Sequence, residues 1–155
     1  IDALRPHLQR FSAVVFGPGL GRSDGAAAFL ERYLEAPHAR TLYDADALFL
    51  LARRPELLGR LGPEAVLTPH PGEMANFFGV SASEINLARA RYAREFSFGH
   101  RVNLVLKGAA TIVAGHEVKK ALQPPLSSGS FLVRRVTRVC QSIGWRSTLR
   151  PIFSS

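Results

Sequence analysis

Four short stretches of this 155-residue chain combine polar or charged side chains with the backbone freedom that ligand contact needs. Lys107-Gly108-Ala109-Ala110-Thr111 begins where an apolar run ends. A lysine there can meet a phosphate as a point charge, with Gly108 leaving room for backbone contacts, or it can top a plain hairpin and point to water. Thr68-Pro69-His70-Pro71-Gly72-Glu73 holds an imidazole between two prolines, which lowers the entropy lost in aiming it at a substrate. A lone histidine is otherwise ordinary surface or core filling, and no second His or Cys stands at the spacing a metal site would need. Asp44 and Asp46 suit magnesium, a ribose hydroxyl or the capping of a following helix, and capping is expected of at least one. Gly17, Gly19 and Gly21 around Pro18 form a tight turn. It either lets backbone amides approach an anionic or polar ligand or serves as structure alone. It is neither the dinucleotide-binding G-x-G-x-x-G nor a Walker A sequence.

Each stretch follows a short apolar run that reads as a strand buried on both faces: Ala13–Phe16, Thr41–Tyr43, Ala65–Leu67 and Val102–Leu106. Between the runs lie helical segments. Ser23 or Asp24 can cap one running toward Glu35, and shorter pieces follow Asp46 and Gly72. Ser81 with Glu84 has capping-box spacing ahead of a stretch through Phe96. Strands alternating with helices at this spacing predict βαβ units and an α/β fold with a mostly parallel sheet. In such sheets ligands bind outside the carboxyl ends of the strands, and all four polar loops belong to that edge.

A hydrophobic fraction of 46% suits a single soluble, globular domain with a buried core. No apolar stretch approaches the ~18 residues of a membrane span, and the opening residues do not read as a signal peptide. The single cysteine, Cys140, suits a reducing compartment, so a cytoplasmic location and no membrane partner are expected. The net charge of +8 is unevenly spread. Glu117 is the last acid, and seven bases follow it, whereas residues 1–117 hold 13 bases against 12 acids. The expected division is therefore a nearly neutral domain over 1–117 and an atypical basic tail over 118–155, read either as a disordered end or as a frame-shifted or chimeric one.

In this order, Gly-Pro-Gly-Leu-Gly (17–21), Asp-Ala-Asp-Ala-Leu (44–48), Leu-Thr-Pro-His-Pro-Gly-Glu-Met (67–74) and Leu-Lys-Gly-Ala-Ala-Thr (106–111) resemble the ADP/ATP-dependent NAD(P)H-hydrate dehydratase family of the ribokinase-like superfamily, over roughly Phe11 to Gly115. The resemblance implies a three-layer α/β sandwich with a mostly parallel central sheet, here incomplete at both ends. It implies a lyase that uses ADP or ATP with Mg2+ to dehydrate hydrated NADH or NADPH (NADHX, NADPHX). Gly19, Gly21, His70 and Glu73 would then face the hydrated nicotinamide nucleotide. Lys107, Gly108, Ala109, Ala110 and Thr111 would line the phosphates of the adenine nucleotide, and Asp46 would stand near the magnesium. Phosphorylation of the hydrate's hydroxyl would make it a good leaving group, and elimination would follow.

The family pattern also contains a later Gly-Ser-Gly-Asp motif whose aspartate is the base. Here Asp46 is the last aspartate, and Ser128-Gly129-Ser130 is followed by Phe131. The expectation is a chain with little or no turnover. Its family would imply a homo-oligomer, and its exposed sheet edges, aggregation. The alternatives are a ribokinase-like kinase of small vitamin precursors, a non-catalytic nucleotide binder, or a nucleic-acid binder acting through its basic end. Against specific nucleic-acid binding, the bases are not set on a helix or interleaved with aromatics beyond Phe131 and Trp145.

Overall fold

The computed structural model describes residues 1–62 and 64–115. The expected basic tail from 118, with Cys140 and Ser128–Phe131, lies outside the described residues. Five strands form one sheet in the order β1 (Val14–Phe16), β2 (Thr41–Tyr43), β3 (Val66–Leu67), β4 (Asn103–Leu106) and β5 (Ile112–Ala114). The first four are parallel, in register Val14 with Thr41, Leu42 with Val66 and Val66 with Asn103. β5 turns back antiparallel on β4, pairing Ile112 with Leu106. β2 matches its apolar run, and β1, β3 and β4 are each one residue shorter than theirs because Ala13, Ala65 and Val102 lead in without joining the ladder.

Helices fill the connections. A short α1 (Arg5–Leu8) precedes β1, and α2 (Asp24–Leu34) joins β1 to β2. The Ser23 hydroxyl caps α2 by accepting from the Ala26 amide at 3.2 Å, so of the two candidate caps the serine serves. α3 (Asp46–Arg53) and a 3-10 turn (Pro55–Arg60) join β2 to β3, and α4 (Pro71–Phe78), α5 (Ala82–Leu87) and α6 (Arg89–His100) lead to β4. The helix expected from Ser81 through Phe96 is thus two helices. The break is at Ala88, whose φ of −139° is not helical. Only half of the expected capping box forms: Ser81 accepts the Glu84 amide, while the Glu84 carboxylate accepts the Tyr92 hydroxyl at 2.7 Å.

The main core takes Phe16, Tyr43, Leu67, Leu104 and Leu106 from one sheet face and closes them with Leu30, Tyr33, Leu48, Leu51, Met74, Ala93 and Phe96 from the helices. Each fully buried leucine here contributes about 1.5–3 kcal/mol relative to an exposed one. Leu42, Val66 and Val105, with Val113 against them, form a second cluster on the opposite face. Alternation along β2, β3 and β4 sends neighbouring residues to the two faces, so strands read as continuous apolar runs are apolar for two separate reasons.

Candidate functional site

All four sequence-selected loops leave the carboxyl ends of β1 to β4, and backbone bonds stitch them together as they leave. The Asp44 amide donates to the Phe16 carbonyl at 3.1 Å, the Thr68 amide to Tyr43 at 3.1 Å, and the Lys107 amide to Pro69 at 2.8 Å. The ladder therefore continues to the root of each loop. Gly17 lets the first two come close: its φ is +124°, and a Cβ there would lie 2.0 Å from the Asp44 carbonyl oxygen. Ala45, with φ +51°, turns the second loop into α3.

Neither aspartate of that loop caps α3, because the N-cap position falls to Ala45, which has no side-chain cap. Each carboxylate is used on another loop. Asp46 Oδ2 accepts the Gly21 amide at 3.0 Å, and its Oδ1 accepts Arg22 Nε at 2.8 Å. The Arg22 guanidinium also lies 4.4 Å over the Phe49 ring. The bond from Arg22, and then the Gly21 amide, hold the Asp46 carboxyl below the usual aspartate range. Asp46 is thus the clamp on the glycine loop. Each Asp46 oxygen accepts a hydrogen bond within the chain, and among the described residues no group of three or more His, Cys, Asp or Glu is gathered as a metal site.

Asp44 takes the lysine. Its Oδ1 stands 2.7 Å from Lys107 Nζ, and Glu73 Oε2 lies 4.0 Å from the same nitrogen. The β4–β5 turn is indeed a hairpin, but its lysine faces the site, where one ammonium lies between carboxylates from the β2 and β3 loops. Each partner of the 2.7 Å pair is about 30% exposed, so the cluster remains open to a solute.

His70 and Glu73 form the reciprocal capping box that Ser81 and Glu84 do not. His70 Nδ1 accepts the Gly72 amide at 3.0 Å and the Glu73 amide at 3.2 Å, and Glu73 Oε2 accepts the His70 amide at 2.8 Å. An Nδ1 that accepts puts the proton of the neutral ring on Nε2, which lies 3.6 Å from Glu73 Oε1 on a half-exposed imidazole. We expect His70→Ala to cost about 1 kcal/mol in chemical denaturation and His70→Asn, whose side-chain oxygen can cap, to recover most of it. Equal midpoints for wild type and both variants would rule out the capping role.

The structure thus brings Gly21, Asp46, His70, Glu73 and Lys107 to one sheet edge and adds Asp44, whose role sequence alone left open, and Arg22, which the sequence did not single out. Gly19 shares its loop with Gly21, and both carry positive φ. Arg22 was legible only as the neighbour of Gly21. Arg89, described below, gave no sequence signal.

The sequence profile of the NAD(P)H-hydrate dehydratase family matches residues 2–128. The chain belongs to the NAD(P)H-hydrate dehydratase family. Among relatives of this family, it is 38% identical over 112 residues to the bifunctional NAD(P)H-hydrate repair enzyme Nnr of Coxiella burnetii, covering 72% of this chain and 22% of that protein. It is 35% identical over 113 residues to the ADP-dependent (S)-NAD(P)H-hydrate dehydratase of Xanthomonas campestris, covering 73% of this chain and 37% of that one. This chain therefore spans well under half the length of these relatives. Its fold matches the ADP/ATP-dependent NAD(P)H-hydrate dehydratase of Bacillus subtilis, co-crystallized with ATP/Mg2+ and soaked with CoA. The TM-score is 0.55 at 34% identity, over 68% of this chain and 37% of the other. The ribokinase-like α/β fold with a mostly parallel sheet, expected from the motifs, is the fold of this family member. None of its described helices is long and apolar enough to cross a membrane.

Proposed function

We propose that this chain supplies nucleotide- and substrate-contacting loops for the ADP- or ATP-dependent dehydration of hydrated NADH or NADPH, a repair lyase reaction in the cytoplasm. The observation that carries this reading is the placement of Lys107 Nζ between Asp44 and Glu73, at the edge where the glycine and histidine loops also meet. Lys107 and the turn Gly108, Ala109, Ala110 and Thr111 would take the phosphates of the adenine nucleotide. Gly19 and Gly21, His70 through its Nε2–H, and Glu73 would face the hydrated nicotinamide nucleotide. Mg2+ would arrive with the nucleotide, held chiefly by phosphate oxygens and water, as such ions commonly are.

In the proposed reaction the terminal phosphoryl group passes to the hydrate's hydroxyl, the nucleotide leaves one phosphate shorter, and the ester departs as inorganic phosphate with loss of a ring proton. This chain's residues contribute charge neutralisation and alignment to the first step, the main demands of phosphoryl transfer. The vitamin-precursor kinase reading is less favoured, because the histidine loop and the family relationship both belong to the dehydratase.

The test combines purified protein, hydrated NADH, ADP or ATP and Mg2+, following recovery of the reduced-nicotinamide absorbance beside ADP-induced thermal stabilisation. We expect stabilisation by ADP, and a dependence of any turnover on Lys107. A folded protein indifferent to ADP and ATP would overturn the proposal.

A further inference from the structure

Arg89 stands where an arginine is electrostatically disfavoured. It is the first residue of α6, at the positive end of a helix whose first turn contains no acid and whose N-cap, Ala88, offers no side-chain cap. Among the described residues it forms no ion pair. Its Nη2 donates instead to two successive carbonyls, Leu106 at 3.3 Å and Lys107 at 3.0 Å, and its buried Nε has no hydrogen-bond partner. The guanidinium fills the space a side chain at 108 would need: a Cβ on Gly108 would lie 2.5 Å from Nη2, 2.9 Å from Cζ and 3.1 Å from Nη1.

We infer that Arg89 is the positioning residue of the Lys107–Thr111 turn. In a planar trans peptide the carbonyl and the following N–H point in opposite directions. Pinning the Leu106 carbonyl sends the Lys107 amide the other way, where it meets the Pro69 carbonyl at 2.8 Å on the histidine loop. Pinning the Lys107 carbonyl likewise turns the Gly108 amide away from Arg89. One planar cation, placed behind the turn, sets the direction of two consecutive amides and leaves Lys107's side chain to the carboxylates in front. A lysine at 89 would retain the charge but not the rigid, planar donor group. The φ of +149° at position 108 by itself calls for glycine, and the missing side chain leaves the room that the guanidinium occupies.

The consequence for ligand binding rests on the proposed nucleotide role of this turn; the positioning itself does not. The experiment therefore reads both, comparing wild type, Arg89→Met and Arg89→Lys in the full chain. In the free protein, Arg89→Met is expected to shift the Gly108 and Ala109 amide resonances and speed their hydrogen exchange. ADP affinity should fall roughly ten- to a hundredfold, the loss expected when a misdirected turn amide no longer donates to a charged phosphate. Arg89→Lys should behave like Arg89→Met at the turn. In Arg89→Ala, added guanidinium but not ammonium should restore part of the ADP affinity, a rescue that general loosening of the fold would not show. Unchanged turn amides in Arg89→Met, or an Arg89→Lys protein matching wild type, would overturn the inference. Altered turn amides in a protein whose wild type ignores ADP would retain the positioning and remove the nucleotide reading. If Arg89→Met does not fold, Arg89→Lys carries the same amide test.

Discussion

Gly17→Ala is expected to destabilise the protein by about 3–5 kcal/mol, the combined scale of a non-glycine residue at a forbidden φ and of an overpacked backbone contact. Two faults coincide. The native φ of +124° is one that an L side chain rarely adopts, and the added Cβ would lie 2.0 Å from the Asp44 carbonyl oxygen and 2.6 Å from the Ala47 Cβ. Neither obstacle is the end of a flexible side chain. The Asp44 carbonyl also accepts the Ala47 amide at 3.2 Å, so moving it loosens the start of α3. Because Asp44 and Asp46 lie on this segment, the shift should also disturb Lys107 and the glycine loop. Urea denaturation with an unchanged slope and a much lower midpoint is the expected result. A loss under 1 kcal/mol would mean that the two loops do not meet as described, since displacement of that carbonyl could not be so mild.

The second large effect falls on binding. Lys107→Met retains much of the side chain's apolar length while removing the charge that we assign to the nucleotide phosphates. A charge-assisted hydrogen bond contributes about 1.5–3 kcal/mol, so ADP affinity should fall by at least about tenfold. The variant also leaves Asp44 and Glu73 without their shared cation, so an incoming phosphate would meet two uncompensated carboxylates. Both consequences weaken ADP binding. Stability without ligand should change little, because a partly exposed ion pair contributes only up to about 1 kcal/mol. The readout is the ADP concentration needed for a given rise in melting temperature, which follows Kd by mass action. Equal ADP dependence in wild type and Lys107→Met would remove Lys107 from the phosphate site and leave its pair with Asp44 as structure alone.

Much of this arrangement is legible in the sequence. Short apolar runs marked β1, β2, β3 and β4, and the turn chemistry after each marked the carboxyl edge; β2, β3 and β4 are buried on both faces as expected, whereas β1 ends the strand order and leaves Val15 exposed. The four motifs in order also carried the family. The sequence did not reveal that the Ser81 helix breaks at Ala88, because a non-helical φ at an alanine has no compositional signal. It misassigned the capping box for a similar reason. Ser81 with Glu84 has the familiar spacing, but Tyr92 takes the Glu84 carboxylate, whereas His70, not an ordinary capping residue, completes the box with Glu73.

The sequence by itself determined which segments become strands, which edge gathers the loops, and which residue types stand ready there, since these follow from local periodicity and turn chemistry. Only the tertiary structure decided the pairing: Asp46 with Gly21 and Arg22, Asp44 with Lys107, and Arg89 behind the Lys107 turn. Those partners are separated by 18 to 63 residues. A charge at such a distance along the chain chooses its partner by where the parallel sheet brings the loops together, and spacing in sequence cannot express that choice.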